Sequence, residues 1–133
     1  DMTGQKTGVK ITGPKKITKT GMFNYCWPGC LTVMYDAEKV GLIQIADIKK
    51  NNDYAMWLKV CKKADCYLLD EYLAEYRKGR KGSVSTHSVK TMIGWHYKLY
   101  REAENESAIV SVLNTGRNLL FGFYKKTNYI TRN

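Results

Sequence analysis

The spacing of apolar and polar positions predicts a short helix and then a buried strand near the start of the chain. Residues 1–16 are polar and rich in lysine and glycine, which predicts an extended entry segment. Thr18 is a good cap for a helix over residues 18–25, and Trp27-Pro28-Gly29 ends that helix. Residues 31–35 are apolar, aromatic and β-branched, so they predict a largely buried strand.

The middle of the chain carries the clearest helical periodicity. A helix is predicted to begin with Asn52 or Asp53 as its cap. Its apolar face consists of Tyr54, Trp57, Leu58 and Cys61. Two short strands are expected next, over residues 66–69 and 73–76, and residues 77–82 then form a basic loop.

From Ser85 or Thr86 onward the pattern is helical, with an interruption at residues 104–106. The apolar face of the first of these two helices consists of Val89, Met92, Ile93, His96, Leu99 and Tyr100. That of the second consists of Ile109, Val110, Val112, Leu113, Leu119, Leu120, Phe121, Phe123 and Tyr124. The whole order of elements predicts an α/β chain, which is α+β when taken as an isolated fragment.

Composition adds a charge requirement to this pattern. The 133 residues suffice for one domain, and the formal charge of +10 calls for an anionic partner such as nucleic acid, a nucleotide diphosphate or acidic lipid. No apolar run approaches the roughly 20 residues that cross a bilayer. The chain begins with Asp1 and shows no signal-peptide pattern, so we expect it to be cut from a longer polypeptide.

The four cysteines are Cys26, Cys30, Cys61 and Cys66. Their spacings are close to those of zinc sites without matching them. Buried free thiols in a reducing cytoplasm are the simpler expectation, because free cysteine is among the residues most often buried. A metal site stays open as the alternative.

Three segments taken together resemble a known family. They are Gly29-Cys-Leu-Thr-Val-Met-Tyr-Asp36, Asn52-Asp-Tyr-Ala-Met-Trp-Leu58, and Leu73-Ala-Glu-Tyr-Arg77 followed by Gly82-Ser-Val-Ser85. In order and spacing they are similar to the second, acceptor-side half of bacterial family 2 glycosyltransferases, which have the GT-A fold. The resemblance covers about residues 11–101.

The resemblance implies that this chain is one part of a longer enzyme, in which donor and acceptor are bound by different halves. Residues 1–84 would complete a GT-A catalytic domain as a short mixed sheet with flanking helices, and residues 85–133 would be a helical extension. The nucleotide-binding half, with its Asp-x-Asp motif for Mg²⁺ or Mn²⁺, would precede Asp1, since no Asp-x-Asp occurs here. The full-length enzyme would be a glycosyltransferase of the hexosyltransferase type, and this fragment alone would be inactive and bind no cation.

Asp53 is the candidate catalytic residue. The resemblance places it where a carboxylate takes the proton from an acceptor hydroxyl, although Asp at a helix start is also an ordinary cap. Trp57 lies one turn later on the same side and could line an acceptor pocket through its ring, or simply pack in the core.

Other candidates surround the expected donor. Arg77 and Arg80 belong to the basic loop and offer paired donors to a leaving diphosphate, or form a solvated turn. Gly29 and Cys30 form a bend whose backbone amides could lie beside the transferred sugar. Some relatives bring a His from the loop region to the cation; here only His87 follows, so it is a weak candidate ligand.

The expected partners are a nucleotide-sugar donor and a saccharide or lipid-linked acceptor, in bacterial surface polysaccharide synthesis in the cytoplasm. The last helix could contact the inner face of the cytoplasmic membrane, pack on the protein's own core, or pair with a second copy as a homodimer. A small basic nucleic-acid-binding module is the alternative function, because aromatic and basic residues alternate at residues 97–101. Acidic residues at 102, 104 and 106 interrupt that pattern, so no nucleic acid is expected.

Overall fold

A computed structural model describes residues 1–80 and 87–132 and has an α+β architecture, which confirms the predicted class. The strands are β1 (Val9–Ile11), β2 (Lys16–Ile17), β3 (Cys66–Tyr67) and β4 (Ile130–Arg132). The α-helices are α1 (Lys19–Asn24), α2 (Ala37–Val40), α3 (Asn52–Cys61), α4 (Val89–Lys98) and α5 (Ala108–Asn128). A 3-10 turn spans Cys30–Thr32, and a π-helical turn, Leu99–Ala103, continues α4.

Two antiparallel ladders tie distant parts of the chain together. β1 pairs with β4 with Lys10 opposite Thr131, and β2 pairs with β3 with Ile17 opposite Cys66. The first ladder joins residues near the two ends of the chain, and the second brings the segment after α3 beside the residues before α1. The predicted division of the chain at residue 84 falls outside the described residues and stays a prediction.

Helix α3 forms the centre of the core, and its predicted apolar face is confirmed. The core side chains are Ile17, Met22, Trp27, Val40, Tyr54, Ala55, Trp57, Leu58, Val60, Cys61, Leu99 and Tyr100. The predicted cap of α3 was wrong, because Asn51 precedes the helix with a left-handed φ of 59°. Asn52 and Asp53 are its first two residues, and each side chain accepts the next residue's backbone N–H, at 2.9 and 2.8 Å.

Both predicted strands over residues 31–35 and 73–76 were wrong. The first segment begins in the 3-10 turn and continues without ladder pairing, so Leu31 and Met34 remain exposed. A strand is stable when its backbone groups pair with a neighbour, and no strand of the described chain lies beside either segment. Of residues 66–69, only Cys66–Tyr67 forms a strand.

The predicted caps of α1 and α4 differ in outcome. Thr18 caps α1 as expected, with its hydroxyl accepting the Gly21 N–H at 3.3 Å. Helix α4 begins after Ser88, whose hydroxyl accepts the Thr91 N–H, and the expected start at residue 85 or 86 lies outside the described residues. The predicted interruption at residues 104–106 is confirmed, and Asn105 has a φ of 57° there.

Helix α5 turns its polar side inward. Its buried residues are Ser111, Asn114, Thr115 and Asn118. On the opposite side, most apolar residues are exposed, and Phe123 keeps 71% of its surface accessible. Leu119 and Phe121 of the predicted apolar side are half-buried, and Phe121 packs against the core, so within the described residues this side packs on the core only in part. No helix in the described ranges is both long and apolar enough to span a bilayer.

A buried cluster of hydroxyl and amide groups explains why α5 can pack in this way. Asn118 Nδ2 donates to Tyr54 Oη at 3.2 Å, and Tyr54 Oη donates to the Met22 carbonyl at 2.7 Å. Tyr100 Oη lies 3.2 Å from Tyr54 Oη and donates to the Phe23 carbonyl at 3.0 Å. Because each polar group of this cluster has a partner, the polar side of α5 can be buried beside the apolar core that α1, α3 and the π-helical turn share.

Candidate functional site

Asp53 lies half-buried at the first turn of α3, where its two carboxylate oxygens have different neighbours. Oδ1 accepts the backbone N–H of Tyr54 at 2.8 Å, which fixes the orientation of the carboxylate. Oδ2 accepts the thiol of Cys30 at 2.7 Å, across 23 residues of sequence. The side chain is thus held against its own helix on one side and faces an exposed turn on the other.

The opposing turn is built from Gly29 and Cys30. The Gly29 carbonyl accepts both the backbone N–H and the hydroxyl of Thr32, each at 2.9 Å, which closes the 3-10 turn. Partial burial, followed by the hydrogen bond to Asp53, raises the pKa of the Cys30 thiol to about 11. Cys30 therefore stays protonated at neutral pH and can donate its S–H to the carboxylate.

Trp57 lies behind Cys30 and Asp53 as a core residue. Its ring is buried and packs edge-on against Tyr35, with centroids 6.4 Å apart. Its indole lies close enough to Cys30 to lower the pKa of the thiol, opposing the effect of burial, so the two side chains are neighbours. The indole N–H is itself buried.

The remaining predicted residues lie apart from this group. Arg77 and Arg80 are exposed in a segment without regular structure, and within residues 1–80 and 87–132 the structure places neither against Asp53 or Cys30. His87 is exposed and packs edge-on against Trp95, at a centroid distance of 4.8 Å. The structure thus brings together Asp53, Cys30 and Trp57, and it leaves the roles of the basic loop as predictions.

Comparison with known proteins gives a partial match. A segment of the chain is similar to a glycosyltransferase. Over 68 residues, 50% of this chain, it is 41% identical to TuaG of Bacillus subtilis (strain 168), which is named as a teichuronic acid biosynthesis glycosyltransferase. The chain covers 27% of the length of TuaG. No family model matches the chain, and no solved structure matches it significantly.

The described residues do not by themselves fit a cation site. No three His, Cys, Asp or Glu side chains of the described part of the chain come together in a group that could hold a metal. The four cysteines are free, and they range from the buried Cys61 to the exposed Cys30. The alternative of a cysteine metal site therefore has no support in the described geometry.

Sequence reasoning missed the Cys30 thiol. It named Cys30 for its backbone amide and as one of four thiols expected to be buried, whereas the structure exposes this residue and directs its side chain at Asp53. No local pattern could have shown this contact, because the two residues lie on separate elements that only the packing of α3 against the turn brings together.

Proposed function

We propose that this chain is the acceptor-side half of a bacterial family 2 glycosyltransferase with a GT-A fold. The full-length enzyme would transfer a hexosyl unit from a nucleotide-sugar donor to a saccharide or lipid-linked acceptor during surface polysaccharide synthesis in the cytoplasm. The similarity to TuaG supports the enzyme class and the polysaccharide context. The main support for this proposal within the chain is the half-buried Asp53 carboxylate, whose Oδ2 faces an exposed turn.

The proposed chemistry uses Asp53 as a general base. An acceptor hydroxyl that displaces the Cys30 thiol would hydrogen-bond to Oδ2 and transfer its proton there as its oxygen attacks the anomeric carbon. The Tyr54 N–H on Oδ1 would keep the carboxylate oriented during this step. Trp57, a buried neighbour of Cys30, would hold in place the turn that faces Oδ2.

The donor side of the proposal involves the basic loop and residues outside this chain. Arg77 and Arg80 would contact the diphosphate that leaves, since guanidinium groups donate in pairs to phosphate oxygens. Mg²⁺ or Mn²⁺ would be held by an Asp-x-Asp motif outside this chain. His87, which packs on Trp95, would contribute to such a cation only by leaving that contact.

Substitution of Asp53 by Asn in the full-length protein tests the base. Asn keeps an oxygen for the Tyr54 N–H but cannot take a proton, so we expect transfer to fall by about 10²–10⁴-fold with donor binding unchanged. The matched control is Asp36→Asn, because Asp36 caps α2 through its carboxylate and lies on the exposed surface. We expect this control to keep full activity, since Asn caps as well as Asp. Near-normal transfer by Asp53→Asn would remove the proposed role.

We also propose that the outer face of α5, formed by Ile109, Val112, Leu113, Leu120 and Phe123, contacts an anionic membrane surface. These side chains are exposed and follow one another at helical spacing. Lys126 is exposed on the same helix, and the chain's charge of +10 suits acidic lipid headgroups. This placement would bring the enzyme to lipid-linked acceptors.

Vesicle co-sedimentation of the full-length protein tests this face. We expect binding to vesicles with acidic lipid, less binding to neutral vesicles, and loss of binding on Leu113→Glu. The matched control is Leu73→Glu, which makes the same change at an exposed apolar residue elsewhere. Equal vesicle binding by the two variants would refute membrane contact of this face. If light scattering shows that Leu113→Glu alone loses a dimer, the face instead contacts a second copy of the chain.

A further inference from the structure

A concavity lies beside α1 and the end of α5. Its volume is about 210 Å³. Aromatic rings of Trp27, Phe121, Tyr124 and Tyr129 form much of its wall. Lys16 and Asn24 supply polar groups at the same concavity. We call it the aromatic groove.

The rings of the aromatic groove support one another. Trp27 meets Tyr129 edge-on at 5.5 Å and Phe121 at 6.4 Å, and Tyr124 meets Tyr129 at 5.9 Å. The Trp27 indole N–H donates to the Gly21 carbonyl at 3.0 Å, which fixes its ring. Because the rings already hold one another in place, a ligand that stacks on them causes little further loss of side-chain conformational entropy.

The chemistry of this wall matches a saccharide. Pyranose rings present apolar C–H faces that pack on aromatic rings and hydroxyls that need hydrogen-bond partners. Tyr124 retains 46% of its surface and so offers a ring for such packing. The half-buried Asn24 offers hydrogen-bonding groups beside it, and the Lys16 ammonium, which is paired with Asp65 at 2.7 Å, lies at the same concavity. A purely apolar ligand would leave these polar groups unused.

The groove is joined to the candidate site by a short piece of chain. Trp27 lines the groove, and Cys30, three residues later, contacts Asp53. Three residues span at most about 11 Å, so a short oligosaccharide can reach from one to the other. Lys125 Nζ donates to the Trp27 carbonyl at 2.9 Å and holds this connecting segment against α5.

We propose that the aromatic groove binds the acceptor saccharide chain behind the sugar whose hydroxyl faces Asp53. This inference rests on the proposed function, because it assigns the groove to the same acceptor. It predicts that the protein binds oligosaccharides independently of the donor and of proton transfer at Asp53.

Oligosaccharide binding to the full-length protein tests the groove. The probes are two tetrasaccharides, one of neutral hexoses and one containing hexuronic acid, titrated by ligand-observed NMR. We expect binding of at least one probe, and an about fivefold loss of affinity on Tyr124→Ala, the loss of one aromatic contact. Tyr124→Phe should bind as the wild type, because it keeps the ring. Tyr72→Ala is the matched control, since Tyr72 is an exposed tyrosine ring outside the groove.

The outcomes separate this inference from the proposed function. Asp53→Asn should bind both probes as the wild type does, even when it no longer transfers sugar. The proposal that the groove binds the saccharide would be refuted if neither probe binds, or if a folded Tyr124→Ala protein binds with wild-type affinity. Neither result would change the proposed role of Asp53. Loss of probe binding in Asp53→Asn would place the saccharide at Asp53 alone and would also overturn it.

Discussion

Replacement of Tyr54 by Phe should destabilise the chain more than any other removal of a single hydroxyl from the buried polar cluster. The Tyr54 hydroxyl donates to the Met22 carbonyl at 2.7 Å and accepts from Asn118 Nδ2 at 3.2 Å, in a region where Tyr54 and Asn118 are each 1% exposed. Its removal leaves two buried groups without that partner. A buried polar group left unsatisfied costs about 1–3 kcal/mol, so we expect a loss of about 2–4 kcal/mol in the free energy of unfolding.

Tyr100→Phe is the matched comparison, because the Tyr100 hydroxyl is also buried and lies in the same cluster. It donates to the Phe23 carbonyl at 3.0 Å, and the Tyr54 hydroxyl lies 3.3 Å from that same carbonyl. One alternative donor therefore remains, and we expect a loss of only about 1 kcal/mol. Urea unfolding followed by circular dichroism measures both values. An equal or larger loss in Tyr100→Phe would refute the assignment of Tyr54 as the centre of the cluster.

Two further predictions concern the stability of the helices. Gly116→Ala should stabilise α5 by about 0.5–1 kcal/mol, because the added Cβ would meet open space. Gly122→Ala should stabilise α5 less or destabilise it, because the added Cβ would lie 3.1 Å from the Tyr25 ring. Thermal unfolding of the two variants measures the difference. Burial lowers the pKa of His96 below its usual 6.5, so its contribution to stability is complete above pH 6.5 and is lost as the pH falls, when the unfolded chain takes up the proton. Unfolding titrations from pH 7.5 to 5.5 should show a smaller decline for His96→Asn, and an unchanged decline would contradict this.

Local patterns in the sequence were sufficient for the elements that are stabilised by their own residues. Thr18 predicted the cap of α1, and the apolar positions of α3 predicted the face that is buried. Both signals act within one or two helical turns, so they survive in any tertiary context. The candidate site could be predicted only in part: Asp53 and Trp57 belong to one helix, whereas the Cys30 thiol meets Asp53 through tertiary packing.

Helix α5 shows why periodicity alone could not predict which side of a helix is buried. Its periodicity gives the position of the apolar side correctly, yet the opposite, polar side packs on α1 and the π-helical turn. This is favourable because the inward side chains are small and already satisfied: Ser111 Oγ donates to the Ser107 carbonyl at 2.8 Å and Thr115 Oγ1 to the Ser111 carbonyl at 2.7 Å. An apolar stripe therefore shows which residues are available for burial, while the surfaces that meet the helix decide which are buried. For α5, the exposed stripe is the reason why we propose a partner there.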